Sequence, residues 1–546
     1  MRCVKLNFKI ALFFSIILIC LSLSVVSASD LNDTNTFKEP ISIPNNQIPG
    51  SFSDLQVEIN NAPSGSVLDL YRDYDGKDNF QVQLNKDLTI DGHGHTLNCQ
   101  GKTDCSAFYS SSGNIILKNL KIINGNNDNT HKGGAIYIKD SAQYTLDNCI
   151  FENNWADDYG GAIYNDIDKT LTIKNCIFKN NKVKDDDGGA IYSNGRLIIE
   201  NSTFDSNNAD DYGGAIFCAK SVDINNCTFI SNKVSGAILV QCSGGAIYSK
   251  DDVIINNSTF DNNYAGDYGG AIYANTIKIN TNQNNTLSFN SFFLNNKAAD
   301  DKGGAIYACN NVEAINTLFD GNTVFNDGGA VYACNNVNVK HCIFMYNRAN
   351  SHAEDTCLIN SYGGAIYAND AVIDNCTFDN NFAENSGGAV YAKTITLKGS
   401  YSYFTNNNAC VNKGGAIYTN KFKEDVSHVS FIYNRAGERD SDDGGAIYIN
   451  DENWITFSEC VFINNQCTGR GGAIYMDSRY SHLTLKNNTF SGNTAKEGQT
   501  VFNSGYYDEI TKNQWGGKNP SSDNDQLIEW KIFGSNIHHT DSNPQN

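Results

Sequence analysis

The sequence predicts an all-β fold: a single parallel β-helix with three faces and about 13 regular coils, plus a few N-terminal coils and end caps. Three observations lead there. The pentapeptide Gly-Gly-Ala-(Ile/Val)-(Tyr/Phe) occurs 13 times between Gly133 and Gly471, at intervals of 24 to 35 residues. A second motif, Phe-x-x-Asn, follows each of the 13 pentapeptides once, from Phe151 to Phe490. Between the two motifs apolar residues alternate with period 2, and no helical period is present. Repeats of this length bury their apolar faces only by stacking on one another.

The elements follow from one repeat. In residues 188–208, Ile191 and Ser193 precede a turn at Asn194-Gly195; Leu197 and Ile199 follow, then Ser202 and Phe204, then Asn207-Asn208. These read as three short strands separated by Asn/Gly corners. Each pairs with its counterpart one coil later, about 4.8 Å away, so that 13 coils stack into a rod about 60 Å long. The longer intervals place insertions at 233–243, 274–289, 348–362 and 435–443. Parity puts the Ile/Val of the pentapeptide in the core and its Tyr on the outer face. A buried Tyr column, which Phe217 without a hydroxyl would tolerate, is the alternative. The slot two before each motif Phe is Cys, Ser or Thr in 11 of 13 repeats, a small residue facing inward beside a Phe stack. The Asn of Phe-x-x-Asn sits at a corner, where stacked amides can bond from coil to coil.

Composition agrees. With 40% hydrophobic and 11% aromatic residues the chain has enough apolar surface to fold. A length of 546 residues alone would suggest about three domains, but the repeat unites most of them. Of 47 glycines, 26 lie in the doublets, so glycine richness marks a corner geometry. A net charge of −20 argues against nucleic acid as a partner, because phosphate-binding surfaces cluster Lys and Arg.

Residues 1–28 have the order of a secretory signal: Arg2, Lys5 and Lys9, an apolar run from Ile10 to Val26, then Ser27-Ala28 with cleavage after Ala28; an uncleaved membrane anchor is the alternative. Removal of the signal takes the charge from −20 to −23 and leaves no apolar stretch long enough to span a membrane. The predicted divisions are 1–28 signal peptide, 29–50 linker, 51–132 cap and first coils, 133–497 repeat domain, and 498–546 closing segment and polar tail.

The repeat resembles that of chlamydial polymorphic outer-membrane proteins. With its Asn-rich style and simple signal, the chain is most similar to adhesin-like β-helix proteins of methanogenic archaea. Residues 52–70, 88–98 and 513–520 fit that group as entry segment, early coil and closing segment. The resemblance covers nearly all of 50–533 and implies a right-handed parallel β-helix, secreted or on the cell surface, that binds host, cell or glycan surfaces. The chain departs from the chlamydial pattern in leaving no room for a membrane β-barrel, and from many archaeal relatives in showing neither immunoglobulin-like repeats nor an anchor.

Two other functions compete with adhesion. A polysaccharide lyase or glycosidase is one, because enzymes on this fold use clustered carboxylates; a structural envelope component is the other. Acids gather before the Gly-Gly in 8 of 13 repeats, among them Asp157, Asp158, Asp185 to Asp187, Asp210, Asp211, Asp327, Glu384, Asp442 and Asp443. They recur evenly, whereas a catalytic site breaks a repeat at one point. Stacked carboxylates would either hold hard cations such as Ca²⁺ or form a solvated stripe. Asp91-Gly92-His93-Gly94-His95 is the most singular polar cluster and reads as a Gly-rich corner. No GxSxG, HExxH, phosphate loop, dinucleotide fingerprint or CxxC occurs. The sequence therefore predicts no enzyme and assigns no catalytic, cofactor or metal residue. Its expected partner is a cell-surface or glycan ligand.

The outer Tyr column would offer flat rings for stacking on sugars, or would cover its sheet. Fifteen cysteines follow the signal. Cys309 with Cys334, Cys99 with Cys105, and Cys227 with Cys242 are candidate disulfides in an exported chain. The six cysteines beside Phe read as buried small residues. Sequons at Asn32, Asn201, Asn226, Asn256, Asn257, Asn284, Asn375 and Asn487 permit glycosylation.

Overall fold

Period-2 patterning and Asn/Gly corners produce the predicted coil. The computed structural model describes residues 48–515 and 528–530, apart from 79, 102–105, 128–131, 235, 237–240, 282–288, 351–360 and 438–441. The predicted signal, most of the linker, the central residues of the four insertions and most of the tail lie outside the described residues. The chain winds as a right-handed parallel β-solenoid of about 16 turns. Every strand pairing among the described residues is parallel, and the motif strands keep the repeat's register, as in Ile191↔Ile216, Ile199↔Ile224 and Phe204↔Phe229; the last pairing of the small fourth sheet slips by one residue between Leu483 and Thr484.

Three large sheets form three faces, but their strands divide differently from the prediction. The Ile-Tyr strand and the one after it share a single sheet of 28 strands. In two coils they fuse into nine-residue strands, Ile366–Asp374 and Val390–Lys398. The Phe strand builds an 18-stranded sheet, and a two-residue strand just beyond the motif Asn builds a third, of 13. That strand, Asn208–Ala209 in one coil, is too short to show a period in sequence. The entry stretch departs from β-structure. Phe52–Asn61 is an α-helix with a capping box between Ser51 and Asp54, and its Phe52, Leu55 and Ile59 are buried. Their spacing of three and four residues puts one apolar stripe against the first coil.

The interior is a set of ladders. The motif phenylalanines stack at 4.6 to 5.1 Å between centroids from Phe151 to Phe490, fully buried beside Cys149, Cys176, Ser202 and their equivalents. The asparagines form a continuous hydrogen-bonded column. Asn263 Nδ2 donates to the Phe229 carbonyl and to Asn296 Oδ1, and its backbone N–H donates to the same Oδ1, all at 3.0–3.1 Å. The pattern runs unbroken from Asn154 to Asn493. Each amide thus satisfies backbone groups that the corner would otherwise bury unpaired.

Candidate functional site

The outer face of the 28-stranded sheet gathers most of the features singled out in sequence. Parity holds: the pentapeptide Tyr points away from the core formed by Ile136, Ile163, Ile191 and their equivalents. The ladder is nevertheless half-buried to buried, with Tyr448 and Tyr475 fully covered. From Tyr164 to Phe502 successive rings stack at 4.5 to 5.4 Å; Tyr273, Tyr307 and Tyr332, for example, lie within 5° of parallel. Each ring face is therefore occupied by the next coil's ring, and only edges and hydroxyls meet solvent. Of the two readings of the column, stacking on sugars and covering the sheet, the packing fits the second.

A second column covers the ladder. The residue immediately before Gly-Gly reaches over the Tyr of the next coil: Tyr159 lies 4.8 Å from Tyr192, Tyr212 4.6 Å from Tyr248 and Tyr268 4.9 Å from Tyr307. Lys302 stands 4.9 Å over Tyr332 and Lys413 4.4 Å over Tyr448, while Arg470 lies over both its own coil's Tyr475 at 4.7 Å and the next coil's Phe502 at 5.1 Å. Reading only the acids of this slot missed its Tyr, Lys and Arg members, whose alternation down the column is the signal.

Carboxylates in the same slot do not form a uniformly solvated stripe. Asp443 is buried and paired bidentately with Arg470, whose Nη2 is 2.8 Å from Oδ2 and Nε 3.2 Å from Oδ1. Asp327 accepts the Tyr362 N–H at 3.1 Å, and burial pushes its carboxyl up to about 6. Asp187 is 8% exposed, and its Oδ1 accepts no hydrogen bond from any described residue. Burial, with repulsion from Asp186 and Asp211, pushes it up to about 8. Burial and Asp186 likewise push Asp211 up to about 6. Asp185 and Asp300 stay exposed.

The cysteines follow the packing reading. Cys309 and Cys334 stand as thiols: Cys309 Sγ lies 3.1 Å from the Tyr273 hydroxyl, and Cys334 Sγ lies 3.6 Å from the Tyr307 hydroxyl. Cys227 donates to the Asn225 carbonyl and Cys242 to the Asp210 carbonyl, so neither candidate pair is bridged. Cys105 lies outside the described residues.

Two further places carry chemistry. At the N-terminal coils a pocket of about 320 Å³ is lined by the amides of Asn98, Gln100, Asn124, Asn126 and Asn153 and by Trp155. Beside it in the chain, the Asp91–His95 corner brings His93 Nε2 to 2.8 Å from Asp69 Oδ1 and His95 Nδ1 to 3.1 Å from Asp73 Oδ1. Large exposed aromatics concentrate in the C-terminal half: Tyr346, Tyr401, Tyr433, Trp454 and Tyr480. Trp454 is 67% exposed although it stacks at 3.9 Å on His482, which stacks in turn on Tyr506 at 5.0 Å. These rings line the outer face of a separate four-stranded sheet that includes Trp454–Ser458 and His482–Lys486. No helix among the described residues is long and apolar enough to cross a membrane.

Comparison with known proteins agrees with this architecture. Residues 105–276 match the right handed beta helix region family. Residues 290–309, 375–393 and 459–477 match the Chlamydia polymorphic membrane protein repeat. A stretch of 138 residues is 37% identical to the probable autotransporter YfaL of Escherichia coli (strain K12), covering 24% of this chain and 9% of that protein. No solved structure matches. The chain is a right-handed β-helix protein whose coils are similar to the chlamydial polymorphic membrane protein repeat and to part of a probable autotransporter.

Proposed function

We propose that the protein is a cell-surface, adhesin-like rod that binds a cell or glycan surface through the sides of its C-terminal coils. The observation that carries this reading is the set of exposed rings between Tyr346 and Tyr480, with Trp454 at its most exposed stack. Tyr and Trp concentrate binding energy at interfaces because they bury a large area at a small entropic cost. Tyr71 and Phe80 are exposed in the N-terminal coils as well, but the C-terminal set is the larger, and the Tyr and Phe of the two repeat motifs are consumed in ladders. The likeness to chlamydial surface repeats and to a probable autotransporter supports display at the cell surface. The acids before the Gly-Gly recur along the coils, and amides line the N-terminal pocket, which favours binding over hydrolysis.

The test is a glycan array and a cell-binding assay with the full chain, run beside incubation with polysaccharides. Saturable binding without release of reducing ends or unsaturated sugars supports the proposal. Turnover of any polysaccharide would replace it with the enzyme reading, and neither binding nor turnover would leave a structural envelope role.

A further inference from the structure

The Gly-rich corner at 91–95 holds a geometry that its sequence does not announce. Asp69 and Asp91 end the paired strands Val67–Asp69 and Leu88–Asp91 and are register partners, one directly above the other on the first coils. His93 adopts a left-handed conformation (φ 47°) that turns the chain back over them. Its Nε2 lies 2.8 Å from Asp69 Oδ1 and its Nδ1 3.7 Å from Asp91 Oδ1. One ligand atom from each of these three side chains lies within 4.8 Å of the other two. Asp91 is held in place: its Oδ1 accepts the His93 N–H at 3.1 Å and Asn119 Nδ2 at 2.9 Å. The Asp69 carboxylate meets no polar partner other than His93 among the described residues.

We propose that Asp69, Asp91 and His93 form a site for a divalent first-row transition metal of the zinc type. One imidazole nitrogen with two carboxylate oxygens suits such ions; Ca²⁺ and Mg²⁺ select all-oxygen shells, and Cu(I) selects sulfur. A separation of 2.8 Å is that of a nitrogen and an oxygen sharing a proton. The ion takes that place at the nitrogen: a neutral ring keeps its single proton on the other ring nitrogen, and an imidazolium releases one proton to solvent. Metal–ligand bonds of about 2.0–2.2 Å then require the ligand atoms to stand roughly 3.2–3.6 Å apart, so the ring moves away from Asp69 and turns to bring one nitrogen to both carboxylates. His93 is 48% exposed and Asp69 42%, which leaves the remaining coordination open to water or to a ligand from a bound partner. The ion would tie the first coil to the second, just after the capping helix. Lys118 occupies Asp91's place in the next coil and is the cation nearest along that ladder.

Two other histidines show why this corner differs. His95 is 11% exposed, and its single partner, Asp73 Oδ1, is already taken by the Thr96 N–H at 2.9 Å. His428 Nε2 meets one carboxylate, Glu459, at 2.8 Å. Only at His93, among these three, do two carboxylates converge on one imidazole.

The test is titration of the full chain with zinc at pH 7.5 by calorimetry, and with cobalt by visible absorption. Parent, His93→Ala, Asp69→Asn and, as control, His428→Ala are compared after circular dichroism has shown that each is folded. The parent is expected to bind one equivalent more than either site variant, with Kd at or below about 10 µM, while His428→Ala matches the parent. Histidines elsewhere contribute equally to parent and variants, so the difference reads this corner. Identical uptake by parent, His93→Ala and Asp69→Asn, whether all bind or none does, overturns the proposal.

Discussion

Gly188 and Gly189 sit side by side under different constraints. Gly188 has φ +71°, a left-handed conformation costly for any residue with a Cβ. Gly189 lies so close to the next coil that a Cβ would stand 2.1 Å from the Gly214 carbonyl oxygen. The doublet is plain in sequence; the second constraint is not, because it arises only once coils stack. Gly189→Ala must separate two coils and should destabilise by more than about 3 kcal/mol, read as a lowered Tm with early exchange of the adjoining amides. The Asn column was legible from the motif alone, because an amide repeated at a corner has only its own copies to meet. Asn263→Ala removes donors and an acceptor from buried partners and should cost about 2–4 kcal/mol in denaturant unfolding. Asp187 was read as one acid among many. Its burial arises only once the coils stack, which no local pattern around Asp187 reveals.

At the scale of the element, period 2 assigns each side chain a side of the sheet but not what lies above it. The Tyr ladder was placed outside correctly, yet its cover comes from the preceding corner of another coil, where Tyr, Lys, Arg, Ser and Asp share one slot. A solvated ladder and a covered one have the same pattern within a strand. The ladder's role follows from its stacking: Tyr307→Ala breaks contacts with Tyr273 and Tyr332 and should lower stability by about 2 kcal/mol, seen in thermal unfolding, while leaving surface binding intact. The helix Phe52–Asn61 was legible in principle from Phe52, Leu55 and Ile59, but it is shorter than most periodic segments and stands beside strand-like sequence. The third sheet was not legible at all, because two residues carry no period.

At the scale of the molecule, 13 motif pairs made the fold class readable, since only stacking buries what each repeat exposes. Function was less readable, because a binding surface is built from residues that break the repeat singly, such as Trp454, and single residues carry no statistical weight. The buried acids give the whole solenoid a pH dependence. Asp187, Asp211 and Asp327 have folded pKa values raised to about 8, 6 and 6, above the unfolded value near 4. The folded chain therefore binds more protons between those limits, and stability falls as pH rises. This contribution is complete below about pH 4, lost through about pH 6 for Asp211 and Asp327, and lost through about pH 8 for Asp187. Tm should accordingly be higher at pH 5 than at pH 8.5, and Asp187→Asn should raise Tm at pH 8.5 while leaving it nearly unchanged at pH 4. A Tm that rises with pH across this window would contradict the burial of these groups.

The central claim is that exposed rings bind while laddered rings only hold the coils together. It is tested most directly by measuring affinity for the responsive cell or glycan surface together with Tm, for the full chain, Trp454→Ala and Tyr307→Ala. Trp454→Ala should lose at least tenfold in affinity with unchanged Tm, and Tyr307→Ala should keep its affinity with a lowered Tm. Undiminished binding by Trp454→Ala, with binding lost in a folded Tyr307→Ala chain, would contradict it.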